Sequence, residues 1–111
     1  MLAMRAYELM VIVNTTLDDE AIDAQINKIS ELITQRGSEI KKEDRWGRRR
    51  FAYEINHQHD GYYVLFEMVG GSELDQLERA LRLADEVVRH KLLRLPDREA
   101  ARRGLVERAV S

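Results

Sequence analysis

Residues 61–69, Gly61-Tyr62-Tyr63-Val64-Leu65-Phe66-Glu67-Met68-Val69, decide the fold. Residues 62–69 are rich in aromatic and β-branched side chains, which suit a pleated, half-buried surface, and they predict a strand. Just upstream, Asn56-His57-Gln58-His59-Asp60-Gly61 reads as a polar turn. Before that turn lies an extended arm, residues 39–55, whose apolar positions are Ile40, Trp46, Phe51, Tyr53 and Ile55. The two runs make a β-hairpin, and Gly47 marks a bulge or bend in its first arm.

Outward from the hairpin the periods change. Ile22, Ile26, Ile29 and Ile33 step by 4, 3 and 4, one apolar stripe on a helix over residues 18–36. Thr16 or Asp18 is placed to cap it, Asp19 and Glu20 favour its positive end, and Gly37 stops it. A second helix begins at Ser72, which with Asp75 three positions on forms a capping-box-like arrangement, and carries Leu74, Leu77, Leu81 and Ala84 on one stripe. Residues 5–14 read as a strand with Tyr7, Leu9, Val11 and Val13 on one face and Glu8, Met10 and Ile12 on the other. Residues 87–95 read as a last strand, closed by Pro96.

The order is β-α-β-β-α-β. Each helix has a single apolar stripe, so both can cover one face of one sheet, and right-handed crossovers put them on the same side. The expected fold is α+β and ferredoxin-like: a four-stranded antiparallel sheet with two helices on one face. Residues 4–96 form the domain, and residues 97–111, with four arginines and no clear apolar period, read as a basic tail, flexible in isolation. The uncovered sheet face carries Glu8, Met10, Ile12, Tyr63, Leu65, Glu67, Arg89, Lys91 and Leu93. A half-apolar face rimmed with cations is a binding surface.

Composition narrows the chemistry. The 111 residues suit one domain with its own core. There is no cysteine, which excludes disulfides and thiolate chemistry. No apolar run reaches the length of a membrane span, and none near the start suits a secretory signal. No glycine-rich phosphate loop and no nucleophile elbow is present. His57 and His59 sit beside Asp60 in the polar turn, a spacing that fits a solvated loop better than a metal site. His90 reads as a structural histidine. No enzyme, no cofactor, no metal and no small-molecule substrate is expected.

The formal net charge of −2 hides four blocks. By count, residues 1–44 carry net −4, residues 45–60 net +2, residues 61–86 net −4 and residues 87–111 net +4. Local fields matter more than the sum when an anion approaches. Within Arg45-Trp46-Gly47-Arg48-Arg49-Arg50-Phe51-Ala52-Tyr53, four guanidinium groups stand beside three aromatic rings. Guanidinium forks match phosphate. The rings are suited to stacking on bases, to holding a partner's apolar side chain, or to packing within the hairpin. Tyr53 and Tyr7 read as core. The basic-aromatic signature of single-strand RNA readers is missing from residues 61–69, so phosphate contact is favoured over base stacking.

The chain resembles the bacterial small-subunit ribosomal protein six family from Met4 to about Pro96. The resemblance rests on Met4-Arg5-Ala6-Tyr7-Glu8, on Trp46-Gly47 with Arg49-Arg50-Phe51-Ala52-Tyr53 and Ile55, on Gly61-Tyr62-Tyr63, and on Leu81-Arg82-Leu83-Ala84-Asp85-Glu86-Val87-Val88-Arg89. It implies a non-catalytic, cytoplasmic ribosomal protein. It further implies binding to the central domain of small-subunit ribosomal RNA as a heterodimer with small-subunit protein eighteen. Arg5, Arg49, Arg50 and Arg89 occupy the family's basic positions, Trp46 and Phe51 its bulky apolar ones, and Arg48 a variable one. Together with Arg45, Tyr63 and Lys91 these are the expected RNA- or partner-binding residues. The competing readings are a small-molecule regulatory or dimeric enzyme domain on the same frame, and a stand-alone RNA-recognition module.

Overall fold

The structure, a computed structural model, describes residues 5–55 and 58–106. Its elements run β1 (Arg5–Val13), α1 (Asp19–Gln35), β2 (Ser38–Ile55), β3 (Gln58–Gly70), α2 (Leu74–Leu83), β4 (Val87–Arg94) and α3 (Asp97–Arg102). The strands form one antiparallel sheet in the order β2-β3-β1-β4. This is the ferredoxin-like arrangement, with β1 and β3 central.

The core lies between the sheet and α1 and α2. Tyr7, Leu9, Val11 and Val13 of β1 and Val64, Phe66 and Met68 of β3 meet Ile22, Ile26, Ile29 and Ile33 of α1 and Leu77 and Leu81 of α2, all buried. The stripe read from sequence is therefore the contact surface. Truncating one of these isoleucines to alanine costs about 2–5 kcal/mol, the transfer term plus the cavity left behind.

The helix ends differ from one another. Asp18 caps α1, its carboxylate accepting from the backbone N–H of Ala21 at 2.8 Å. Gly37, at φ 86°, takes the left-handed conformation past the helix end. α2 starts at Leu74 rather than at Ser72, and no side chain caps it. The Ser72 hydroxyl lies instead against the backbone of Gly37, within 2.0 Å of where a Cβ on that glycine would stand. Packing between the two loops thus takes the hydroxyl that the sequence offered as a cap.

The hairpin is longer than its sequence pattern suggests. β3 begins at Gln58, because Arg50 pairs with Asp60, Arg49 with Gly61 and Ile55 with Gln58. Polar residues at a hairpin end satisfy ladder hydrogen bonds while their side chains face water, so alternation of apolar residues does not report them. Asn56 and His57 of the expected turn lie outside the described residues. Tyr53, expected in the core, is 71% exposed, since this part of the hairpin reaches past the layer of helices.

Residues 97–106, where no element was expected, hold α3 and the turn after it. Ala100 is 1% exposed and packs with Ala6, Val69 and Leu95, with Leu105 and Val106 against them. Ala6 and Val69 lie on the sheet face opposite the main core. α3 therefore covers one end of the otherwise uncovered face. The apolar period was unreadable because a six-residue helix anchored mainly through a single alanine shows none.

Candidate nucleic-acid and partner interface

The register of β2 on β3 decides where each arginine points. The ladder slips between Ile40 and Lys42 and again between Arg45 and Gly47. Each slip is a bulge, and each extra residue inverts the alternation of faces. Ile40 packs on the helix side with the core. After the first bulge, Asp44 lies opposite Leu65 on the uncovered face, and Arg45 opposite Val64 on the helix side. After the second, Gly47 (φ 86°) pairs with Tyr63, so Gly47, Arg49 and Phe51 share the uncovered side. Arg48 and Arg50 share the other.

Two of the four clustered arginines are paired to carboxylates of this chain. Arg45 donates to Glu43 at 2.9 Å and to Asp23 of α1 at 2.5 Å. Its guanidinium is pushed above its ordinary pKa, first by the hydrogen bond to Glu43, with burial opposing, and further by the charge of Glu43 and by Asp23. Arg48 donates to Asp19 at 2.9 Å and to the Thr15 carbonyl at 3.3 Å, and the Thr15 hydroxyl donates to Asp60. These contacts lash the hairpin to the start of α1. Arg49 and Arg50 are exposed and have no hydrogen bond or ion pair among the described residues. With Arg48, His59 and Asp60 they line a cleft of about 360 Å³ at the hairpin end.

The uncovered face carries the aromatic residues. Trp46, 42% exposed, lies parallel to Tyr63 (centroids 6.5 Å apart, 5° between planes), and its indole N–H donates to Asp44 at 3.1 Å. Phe51 meets Tyr63 edge-on at 6.3 Å and 61°. A Cβ on Gly61 would stand 2.3 Å from Ile12 Cγ2 and 2.9 Å from Phe51 Cζ, so only glycine leaves room for this ring. Beside the rings, Met10, Ile12, Leu65 and Leu93 floor a groove of about 350 Å³. Arg89 and Lys91 of the edge strand β4 lie along it, opposite Ile12 and Met10.

The expected residues therefore separate. Trp46, Phe51, Tyr63, Arg89 and Lys91 share the groove face. Arg49 and Arg50 sit at the hairpin cleft, while Arg45 and Arg48 are turned toward α1. Arg5 pairs with Gly70, nine ladder positions from the Gly61 that Arg49 faces, about 30 Å away at strand rise. His59 and Asp60 of the cleft stand out in the sequence only as neighbours in a polar turn. Among the described residues no cluster of His, Asp and Glu is arranged to hold a metal. No described helix is long and apolar enough to cross a membrane.

Residues 6–94 match the family model for ribosomal protein S6. The chain belongs to the ribosomal protein S6 family. It is 45% identical over 92 residues to the small ribosomal subunit protein bS6 of Carboxydothermus hydrogenoformans, covering 82% of this chain and 96% of that relative. It is 39% identical over 95 residues to the bS6 of Moorella thermoacetica, covering 85% and 97%. The crystal structure of 30S ribosomal protein S6 from Thermotoga maritima superposes with a TM-score of 0.84 at 30% identity, over 92% of this chain and 97% of that one. S6 membership makes this chain a structural, non-enzymatic component of the small subunit, at work on the cytoplasmic ribosome. It sets aside the reading as a small-molecule regulatory or enzyme domain.

Proposed function

We propose that the chain binds the central domain of small-subunit ribosomal RNA, and does so as a heterodimer with small-subunit protein eighteen. Arg49 and Arg50 contact phosphate at the hairpin cleft. The groove floored by Met10, Leu65 and Leu93 and edged by Trp46, Arg89 and Lys91 takes the partner protein. Arg5 adds a separate contact at the far end of the sheet. Arg45 and Arg48 serve mainly to hold the hairpin in place.

The observation that supports this most directly is the pair of guanidinium groups beside His59 with no partner among the described residues, on a member of a ribosomal family. An unpaired Arg keeps its donor fork available for a phosphate. The acidic sum of the chain is no obstacle, because a partner can supply the remaining positive charge.

The test is a binding titration of a central-domain RNA fragment against this chain, the partner, and both, across a salt series. Tight binding is expected only with both proteins present. Each phosphate contact contributes about −0.7 to −0.9 to the slope of log affinity against log salt. Replacing Arg49 and Arg50 by Ala should therefore flatten the slope by about 1.4–1.8. Equal binding by this chain alone, with the slope unmoved in the double variant, sinks the proposal.

A further inference from the structure

We propose that the segment following β4 is an intramolecular cover for one end of the uncovered sheet face, fastened by Arg103 on the cross-strand pair Glu8 and Glu67. Its role as a gate rests on the reading above that this face takes a partner. The cover itself does not.

Three observations carry it. First, Glu8 and Glu67 are direct partners in the β1–β3 register, side by side on the uncovered face. Like charges in that position repel unless a cation lies between them. Second, the cation comes from the segment after α3: Arg103 reaches Glu8 at 2.5 Å, Glu67 at 3.7 Å and Glu99 of its own helix at 2.7 Å. Third, the apolar contact beneath is small, with Ala100, Leu105 and Val106 set on Ala6, Val69 and Leu95. A short helix held by so little apolar surface depends on its ion pairs for orientation, and it belongs to the part of a molecule that opens first.

The location gives the cover a consequence. Glu8 also lines the groove that ends in Arg89 and Lys91. With α3 in place, Glu8 at the groove's acidic end and Glu67 beside it already share the cation of Arg103. With α3 lifted, the groove lengthens over Ala6, Val69 and Leu95 and presents a negative end opposite its positive edge. A polypeptide that brings an arginine or lysine to Glu8 and Glu67 competes with Arg103 for the same oxygens. The described segment after β4, residues 97–106, is in this reading separable from the strands and helices that precede it.

Hydrogen exchange on the full chain tests the clasp. In Arg103→Glu the amides of Ala100, Arg103, Gly104 and Leu105, which close the α3 turns, should exchange several-fold to about tenfold faster. The amides of Leu9 and Phe66 should stay unchanged. Adding Glu8→Arg to Arg103→Glu reverses the pair and should restore protection, which a merely weakened helix does not do. Unchanged exchange in Arg103→Glu, or no rescue by the swap, overturns the clasp. Titration with the partner protein tests the gate: Arg103→Glu should tighten docking by the factor seen in exchange, and equal affinity overturns gating. Absence of docking by the unaltered chain counts against the partner reading of the face, and the exchange result stands apart from it.

Discussion

At the scale of single residues, chemistry and position part company. Arg45, Arg48, Arg49 and Arg50 are the same side chain within six positions, yet two are tied to Asp23 and Asp19 and two are not. These exposed ion pairs contribute about 0–1 kcal/mol each, so Arg48→Ala should lower stability only slightly in a urea melt. Gly61→Ala should do far more. The added methyl collides with Ile12 and Phe51, and overpacking of this kind costs about 1–3 kcal/mol. The same melt checks it, with near-ultraviolet dichroism reporting the displaced Phe51 and Tyr63. Ser38 is the reverse case. Its hydroxyl is buried and has no hydrogen-bond partner among the described residues. Removing an unsatisfied polar group relieves a desolvation cost, so Ser38→Ala should leave stability equal or slightly raised. The isoleucine stripe of α1 was legible because 3.6-residue periodicity is a property of the sequence itself. The burial of Ser38 and the exposure of Tyr53 were not, because each depends on what another segment places above it.

Among the elements, the boundaries of α1 follow from its own residues, whereas α2 and α3 borrow theirs from neighbours. Asp18→Ala should cost about 1 kcal/mol through loss of the cap, read as a lower urea midpoint at unchanged slope. Ser72→Ala should cost much less, since no side chain caps α2. α3 carries a pH dependence. Arg102, then Arg103, hold the Glu99 carboxyl down at about 2, below its ordinary 4.5. A depressed folded-state pKa stabilises above the unfolded value and loses its effect as pH falls through the folded one. The Ala100 methyl resonance should accordingly shift between about pH 4.5 and pH 2 as α3 loosens. Glu99→Gln removes this carboxyl and should reduce the shift over that range. A resonance that stays fixed over that range argues against an ion-paired α3. The element order β-α-β-β-α-β was legible from periods and breakers. α3 was not, because it is too short for a period and its anchor, Ala100, carries no strong pattern.

For the whole molecule, binding and stability reside in different places. The core joins α1 and α2 to one sheet face, the proposed contacts lie on the other face and at the hairpin end, and the two share few residues. The double replacement of Arg49 and Arg50 by Ala should therefore leave the melting temperature within a few degrees, as expected for surface substitutions away from packed features, while it flattens the salt slope of RNA binding. A large fall in melting temperature would place these arginines in the fold instead. The sequence by itself determined the fold class, the covered faces of the two long helices, the candidate basic segment and the family, since each rests on local periods or on residues close together in the chain. Tertiary structure alone decided which arginines are available and what covers the acidic end of the groove. The physical reason is that two bulges in β2 invert the side-chain alternation, and that Arg103 reaches Glu8 across 95 positions of chain. Register and long-range ion pairing are set by how segments meet, and no single segment encodes them.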